Sequence, residues 1–91
     1  MLGTAELKVP GGKLIRAHVS VRHGRIGRIV ITGDFFLHPE DVLEQLEEKL
    51  LGRNNAEIEK IIRQFFTESK AVLVGVDVKD FSEVILAAWE D

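Results

Sequence analysis

Two short segments of this sequence combine residue types that could bind a charged ligand or a protein partner. Residues 11–13 are Gly-Gly-Lys, two flexible residues followed by a cation, and Arg16 comes three positions later. Residues 33–36 are Gly-Asp-Phe-Phe, which place a carboxylate and two aromatic rings at the end of an apolar alternating stretch. The first segment lacks the glycine spacing, the Ser or Thr and the following helix of a Walker A loop, so a turn is its simpler interpretation.

The charges are distributed unevenly along the chain. Residues 1–32 contain six Lys and Arg against one Glu, a net charge of +5, whereas residues 33–91 contain six basic and fourteen acidic residues, a net charge of −8. The whole chain therefore carries −3. A cationic half attracts phosphates, adenylates, nucleic acid or acidic proteins, although an ordinary solvated face also carries such charge.

Several classes of function are excluded or disfavoured by composition. The sequence has no cysteine, which excludes a disulfide framework, a thiolate nucleophile and a Cys-based zinc site. Its three histidines have no metal-ligand spacing on a common element, and no Ser/His/Asp set is evident. Ninety-one residues make one small domain. Without a long apolar run or a signal-peptide pattern, we expect a cytoplasmic protein. Because the sequence offers no cysteine and no Ser/His/Asp set, we expect that it is not an enzyme by itself.

The elements that must position the two segments begin as strands. Apolar and polar residues alternate over residues 5–9, 13–21 and 25–32, and the odd-numbered residues form the apolar face. For the hairpin between the second and third strands we predict a three-residue loop, residues 22–24, that pairs Val21 with Arg25. A two-residue loop would pair Val19 with Arg28 and bring that arginine onto the apolar face.

Helical periodicity follows the strands. Strands over about residues 4–32 and helices over about residues 39–51, 55–67 and 78–89 are predicted within a single domain, residues 1–91. His38 and Pro39 suggest an N-cap and first helical residue, and Asn54 with Glu57 resembles a capping box. Asp77 with Asp80 caps the last helix. Residues 68–77 are left without an assigned state.

The predicted fold class is α+β. Three strands form an antiparallel β-meander, and two to three helices pack on one face (β-β-β-α-α-α). The helices are required because three short strands are not stable when their apolar face is exposed to water. The other sheet face is left open and basic, with Lys8, Arg16, Arg22 and Arg28 on it.

With these residues in place, the sequence resembles the accessory domain of lipoate–protein ligases. The resemblance is carried by residues 8–16, 23–31 and 33–36, and then by Pro39-Glu40, Leu46-Glu47 and residues 50–52. In many bacterial members of this family the domain is C-terminal, and in some archaeal and bacterial systems it is a separate small subunit. The extent of the chain fits the stand-alone subunit.

The resemblance implies a reaction whose catalytic residues lie on another polypeptide. Lipoate, ATP and magnesium would form lipoyl-AMP in the assembled ligase, and the lipoyl group would pass to a lipoyl carrier domain of an E2 component or of the glycine-cleavage H protein. This chain would bind no cofactor alone and would act as a lid beside the large catalytic subunit. The residues expected to face the partner or the adenylate are Gly11, Gly12, Lys13, Arg16, Gly33, Asp34, Phe35 and Phe36.

Each of these residues also has a purely structural interpretation. Phe35 and Phe36 could close the corner between sheet and helices, with one ring buried and one exposed, and Asp34 could cap a turn. The basic sheet face leaves two further hypotheses, a nucleic-acid-binding module and a homo-oligomeric interaction module. The first is disfavoured because that face lacks aromatic residues on which bases would stack.

Overall fold

Three antiparallel strands form the main sheet, as predicted. The computed structural model describes residues 2–90, so Met1 and Asp91 of the predicted domain lie outside the described residues. The strands are β1 (Leu2–Lys8), β2 (Leu14–Arg22) and β3 (Arg25–Gly33), and their order in the sheet is β1-β2-β3. In β1 and β2 the side chains of one face are more buried than those of the other, and β3 follows the same pattern except at Gly27, which is why one face becomes core and the other stays open.

The turn between β2 and β3 differs from the predicted one. It contains two residues, His23 and Gly24, and Arg22 pairs with Arg25. The φ angles of His23 and Gly24 are 54° and 74°, and two positive values are what a type I′ turn requires. The predicted three-residue loop with Val21 opposite Arg25 is therefore wrong.

A β-bulge explains why the two-residue turn does not bring an arginine into the core. Val21 pairs with Ile26 and Ser20 pairs with Arg28, so Gly27 is an extra residue in β3. The extra residue shifts the side-chain alternation by one position. Ile26 before the bulge and Ile29 after it are both buried, while Arg28 remains exposed on the open face.

The helical half is close to the predicted one. It comprises α1 (Val42–Leu50), a 3-10 turn (Asn55–Glu57), α2 (Ile58–Glu68) and α3 (Val78–Ala87). The capping box before α2 is confirmed, because Asn54 Oδ1 accepts from the Glu57 N–H at 3.2 Å and Glu57 Oε1 accepts from the Asn54 N–H at 3.0 Å. At the start of α3 the buried carboxylate of Asp80 accepts from the Asp77 N–H at 2.7 Å.

A second, two-stranded sheet was not predicted. Strand β4 (Phe36–His38) pairs antiparallel with β5 (Val72–Val74), so part of the unassigned segment 68–77 is a strand. The predicted N-cap at His38 is wrong because His38 pairs with Val72 in this ladder. Helix α1 starts later, at Val42, whose N–H donates to the Pro39 carbonyl at 3.1 Å.

The core lies between the inner face of the main sheet and the helices. Its fully buried large side chains are Ile15, Val19, Ile26, Leu46, Leu50, Ile58, Ile62, Phe81, Val84 and Ile85. The predicted α+β architecture with helices on one face of the sheet is confirmed. Within residues 2–90 no helix combines the length and the apolar character that crossing a bilayer demands.

Candidate functional site

Most of the predicted site residues meet at one end of the main sheet. The β1–β2 turn, the end of β3 and the residue that follows β5 come together there. The Lys13 N–H donates to the Gly75 carbonyl at 2.9 Å, and the Leu14 N–H donates to Asp34 Oδ1 at 2.7 Å. We call this region, residues 10–13, 33–36 and 75, the glycine corner.

The β1–β2 turn is held by its own backbone. The Gly12 N–H donates to the Val9 carbonyl at 2.8 Å, and the Val9 N–H donates to the Lys13 carbonyl at 3.1 Å. Lys8 Nζ donates to the Gly12 carbonyl at 2.7 Å. A Cβ at Gly12 would lie 2.4 Å from the Gly75 carbonyl oxygen, so the close approach of the turn to Gly75 depends on glycine.

The end of β3 approaches β2 equally closely. A Cβ at Gly33 would lie 2.3 Å from the Leu14 carbonyl oxygen. The next residue closes the contact from both sides, because the Asp34 N–H donates to the Leu14 carbonyl at 3.3 Å and the Asp34 carboxylate accepts from the Leu14 N–H. Asp34 therefore joins the end of β3 to the start of β2 through the backbone of Leu14.

The Asp34 carboxylate is held in its charged form. Its hydrogen bond from the Leu14 N–H lowers the pKa of Asp34 below the usual value of 3.8, and the nearby Lys13 and Lys8 cations lower that pKa further. The carboxylate is therefore a fixed acceptor at neutral pH. The exposed Lys13 ammonium lies beside it, so the corner presents a cation next to a backbone-bound anion.

The two aromatic rings point to different environments, as expected. Phe35 is half-buried and packs its ring against Phe81, with ring centroids 5.4 Å apart. Phe36 leaves 54% of its surface exposed and stacks on His38, with centroids 6.1 Å apart and an angle of 7° between the rings. Phe35 thus anchors the corner to the core, whereas Phe36 is available for contact.

Arg16 is the predicted site residue that lies outside the corner. It projects from the open face of β2 and forms an ion pair with Glu6 of β1, in which Arg16 Nε donates to Glu6 Oε2 at 2.6 Å. The two residues face each other across the β1–β2 ladder. The positive charge of Arg16 is consequently paired with the negative charge of Glu6 in this structure.

The rest of the open face is basic but carries no Phe, Tyr or Trp ring. Its polar side chains include Thr4 and His18, which hydrogen-bond at 3.0 Å, and the exposed Arg28. No Phe, Tyr or Trp lies on β1, β2 or β3. Because sequence-tolerant binding of bases relies on aromatic stacking, this surface is poorly suited to nucleic acid.

Metal ligation by the chain itself has no support in the described residues. Among residues 2–90 no three His, Asp or Glu side chains are grouped closely enough to hold an ion. The carboxylate of the glycine corner, Asp34, already accepts a hydrogen bond from the Leu14 backbone. We therefore assign no metal ligand to these residues.

Sequence reasoning missed the contribution of residues 72–75. Gly75 accepts the Lys13 N–H, and Val74 pairs with Phe36. A Val-Leu-Val stretch followed by glycine is a short strand signal, and it could have been matched with the Phe-Leu-His stretch at residues 36–38. Three residues are too few for a reliable periodicity, which is why the pairing was not predicted.

Comparison with known proteins gives concordant relationships. The family model described as the bacterial lipoate protein ligase C-terminus matches residues 4–85. Lipoate-protein ligase A subunit 2 of Thermoplasma acidophilum is 38% identical over 72 residues, which are 79% of this chain and 76% of that protein.

A solved structure matches the fold over nearly its whole length. It is described as an archaeal lipoylation system, a bi-partite lipoate protein ligase and its E2 lipoyl domain from Thermoplasma acidophilum. The matching chain has a TM-score of 0.85 and 34% identity, and the match covers 93% of this chain and 94% of that one.

Proposed function

This chain belongs to the lipoate protein ligase C-terminal family, and from that premise we propose that it is the accessory, non-catalytic subunit of a two-part lipoate–protein ligase. Together with a catalytic subunit it would serve the ATP-dependent activation of lipoate to lipoyl-AMP in protein lipoylation. The observation that carries the proposal is the match to a chain of a bi-partite ligase over 93% and 94% of the two lengths.

The glycine corner is the part of the chain that we assign to the partner or to the adenylate. Formation of an adenylate develops negative charge on the α-phosphoryl group under attack and on the departing pyrophosphate, and fixed cations stabilise that charge best where water is excluded. Lys13 is exposed, and its backbone is fixed by the bond to Gly75. A small domain that closes over the site can bring such a cation and exclude water in one movement.

Rigid packing makes the corner suitable for that task. Close contacts at Gly12 and Gly33 hold the turn and the strand end against neighbouring backbone, and Phe35 anchors the segment on Phe81. A preorganised surface loses little conformational entropy when it binds. The corner can therefore present Lys13 and Phe36 in a fixed arrangement to the catalytic subunit.

Arg16 would contribute only after a local exchange of partners. Its guanidinium is bonded to Glu6, and a phosphate or an acidic patch of the catalytic subunit would have to replace that carboxylate. Exposed ion pairs are weak, typically about 1 kcal/mol or less, so the exchange is energetically accessible. We keep Arg16 as a site residue on this basis.

The partners follow from the same proposal. ATP, lipoate and magnesium would be bound in the assembled ligase, and the residues that hold them would belong mainly to the catalytic subunit. A lipoyl carrier domain, such as an E2 lipoyl domain or the glycine-cleavage H protein, would be the final acceptor. We place the reaction in the cytoplasm because it consumes ATP and because a chain without cysteine suits a reducing compartment.

The test uses the catalytic subunit of the same organism, purified separately. Pyrophosphate release from ATP and lipoate is measured for that subunit alone, for this chain alone and for the mixture. We expect release from the mixture to exceed the sum of the two separate rates by at least about tenfold. A catalytic subunit that is equally active without this chain would refute the proposal.

A further inference from the structure

The outer face of the β4–β5 ladder is an uncovered apolar surface. Phe36 pairs with Val74 and His38 pairs with Val72, so these four side chains project to the same side. Phe36, Val72 and Val74 leave 54%, 52% and 58% of their surface exposed. We call these four residues the ribbon face.

Among residues 2–90 the other exposed large apolar side chains belong to separate segments. Leu2 and Val30 lie on strands of the main sheet, and Leu51 follows α1. Leu86 of α3 lines a groove with Val78 and with Ile62, which is itself buried. Single exposed apolar side chains are normal on a protein surface, whereas a contiguous group marks an interaction site. In the ribbon face, by contrast, three exposed apolar side chains are neighbours, and their exposure to water requires an explanation.

The ribbon face is preformed. On its inner side Leu37 and Leu73 pair with each other and are partly buried, and Leu73 packs against the core. The ladder begins directly after Phe35, whose ring contacts Phe81, and ends at Gly75, which binds the Lys13 backbone. It is therefore continuous with the glycine corner and fixed at both ends.

We infer that the ribbon face is the surface on which the catalytic subunit of the ligase docks, an assignment that rests on the proposed function. It adds His38, Val72 and Val74 to the contact and gives Phe36 a specific role as its aromatic anchor. Aromatic side chains in the centre of an apolar patch are typical of residues that contribute strongly to binding.

The ribbon face is too small to form a stable interface by itself. Three half-exposed side chains amount to roughly 250 Å² of apolar surface, about a third of the roughly 800 Å² that each partner buries in a stable interface. The neighbouring glycine corner is needed to complete the contact. That corner is the surface that the proposed function assigns to the partner, so a contact that covers both the ribbon face and the corner fits the catalytic subunit better than a second copy of this chain.

The catalytic subunit is therefore expected to offer an apolar pocket with an acidic rim. The ribbon would enter the pocket, and Lys13 and Lys70 would lie against the rim. Because the ladder is fixed to the glycine corner, docking of the ribbon would also bring that corner against the catalytic subunit.

Calorimetric titration of the full chain into the catalytic subunit tests the assignment. The double variant Phe36→Ser/Val74→Ser removes a directly facing pair, and we expect its Kd to rise by about tenfold or more. The matched control, Val30→Ser/Leu51→Ser, makes the same kind of change at two apolar residues outside the ribbon face, which are 36% and 47% exposed. The Kd of this control should change by less than about twofold. Far-UV circular dichroism verifies that both variants fold.

Hydrogen exchange of the unmodified chain provides a second readout that does not depend on a variant. Amides of β4 and β5 should exchange more slowly in the complex than in the free chain. The assignment is overturned if the ribbon variant binds as tightly as the unmodified chain, if the control weakens binding equally, or if the free chain dimerises through the ribbon. Failure of the unmodified chain to bind at all would instead refute the proposed function.

Discussion

Replacing Gly33 by alanine tests whether the glycine corner depends on backbone approaching backbone. The added Cβ would lie 2.3 Å from the Leu14 carbonyl oxygen and 3.3 Å from the Ile15 Cα. Both atoms belong to the backbone of β2, so no side-chain rotation can relieve the overlap. The end of β3 would have to move away from β2 by roughly 1 Å to reach ordinary contact.

The magnitude follows from what that movement would disrupt. The two hydrogen bonds between Asp34 and Leu14, at 2.7 and 3.3 Å, join the strands at this point. Each hydrogen bond contributes about 1 kcal/mol net, and the residual strain adds a similar amount, so the free energy of unfolding should fall by about 2–3 kcal/mol. For a domain of this size the melting temperature should fall by roughly 10–20 °C.

Gly27→Ala is the matched control because Gly27 lies in the same strand. An alanine Cβ there would meet its nearest atom, the Ser20 carbonyl oxygen, at 3.8 Å, which is an ordinary contact. Its stability should stay within about 1 kcal/mol of the unmodified chain. Urea unfolding followed by the fluorescence of Trp89, the single tryptophan, measures both variants. Equal stability losses in the two variants would refute the packing argument.

Three further changes address the caps and the charges. Asn54→Ala removes the acceptor for the Glu57 N–H and should lower the free energy of unfolding, measured by thermal unfolding, by about 1 kcal/mol. Asn55→Ala, which leaves that acceptor in place, should not lower it. The pKa of Glu57 is lowered, chiefly by the hydrogen bond from the Asn54 N–H and then by the Arg53 charge. The ionised carboxylate therefore stabilises the fold above its usual pKa of 4.5, and this stabilisation is lost as the pH falls. The stability gap between the unmodified chain and Glu57→Gln should therefore narrow from about pH 6 to about pH 3 in urea titrations, and a constant gap would contradict this. Lys13→Ala should lower pyrophosphate release by the assembled ligase by about fivefold without changing stability, while the exposed Lys60→Ala on α2 should change neither.

Local signals in the sequence were sufficient for most of the fold. The capping box of Asn54 and Glu57 spans three residues, so its geometry is encoded by neighbours along the chain. The inward and outward faces of the strands follow from an alternation that the sequence displays directly. The meander also explains why residues 11–13 and 33–36 lie near each other, because the β1–β2 turn and the end of β3 occur at the same end of a three-stranded antiparallel sheet.

The errors have non-local or compensating causes. The hairpin register was derived from alternation alone, and the bulge at Gly27 changes that alternation within β3. The start of α1 was placed at Pro39, but pairing of His38 with Val72, more than thirty residues away, makes this segment a strand. Such pairing depends on tertiary contacts that no short window of sequence contains.

The structure also changes how the aromatic residues of the site are best tested. Phe35 packs on Phe81 in the core, so truncating it would reduce stability as well as any contact with a partner. Phe36 is the exposed ring, and truncating it affects the surface alone. Variants of Phe36 therefore separate binding from folding, whereas variants of Phe35 do not.

The role of this chain in lipoylation is measured most directly by the mass of a lipoyl carrier domain after incubation with ATP, magnesium, lipoate and the catalytic subunit, with and without this chain. We expect the domain to gain one lipoyl group when this chain is present, and to gain none, or to gain it at least about tenfold more slowly, when this chain is absent. Equal lipoylation in its absence would contradict the claim that the chain is the accessory subunit of the ligase.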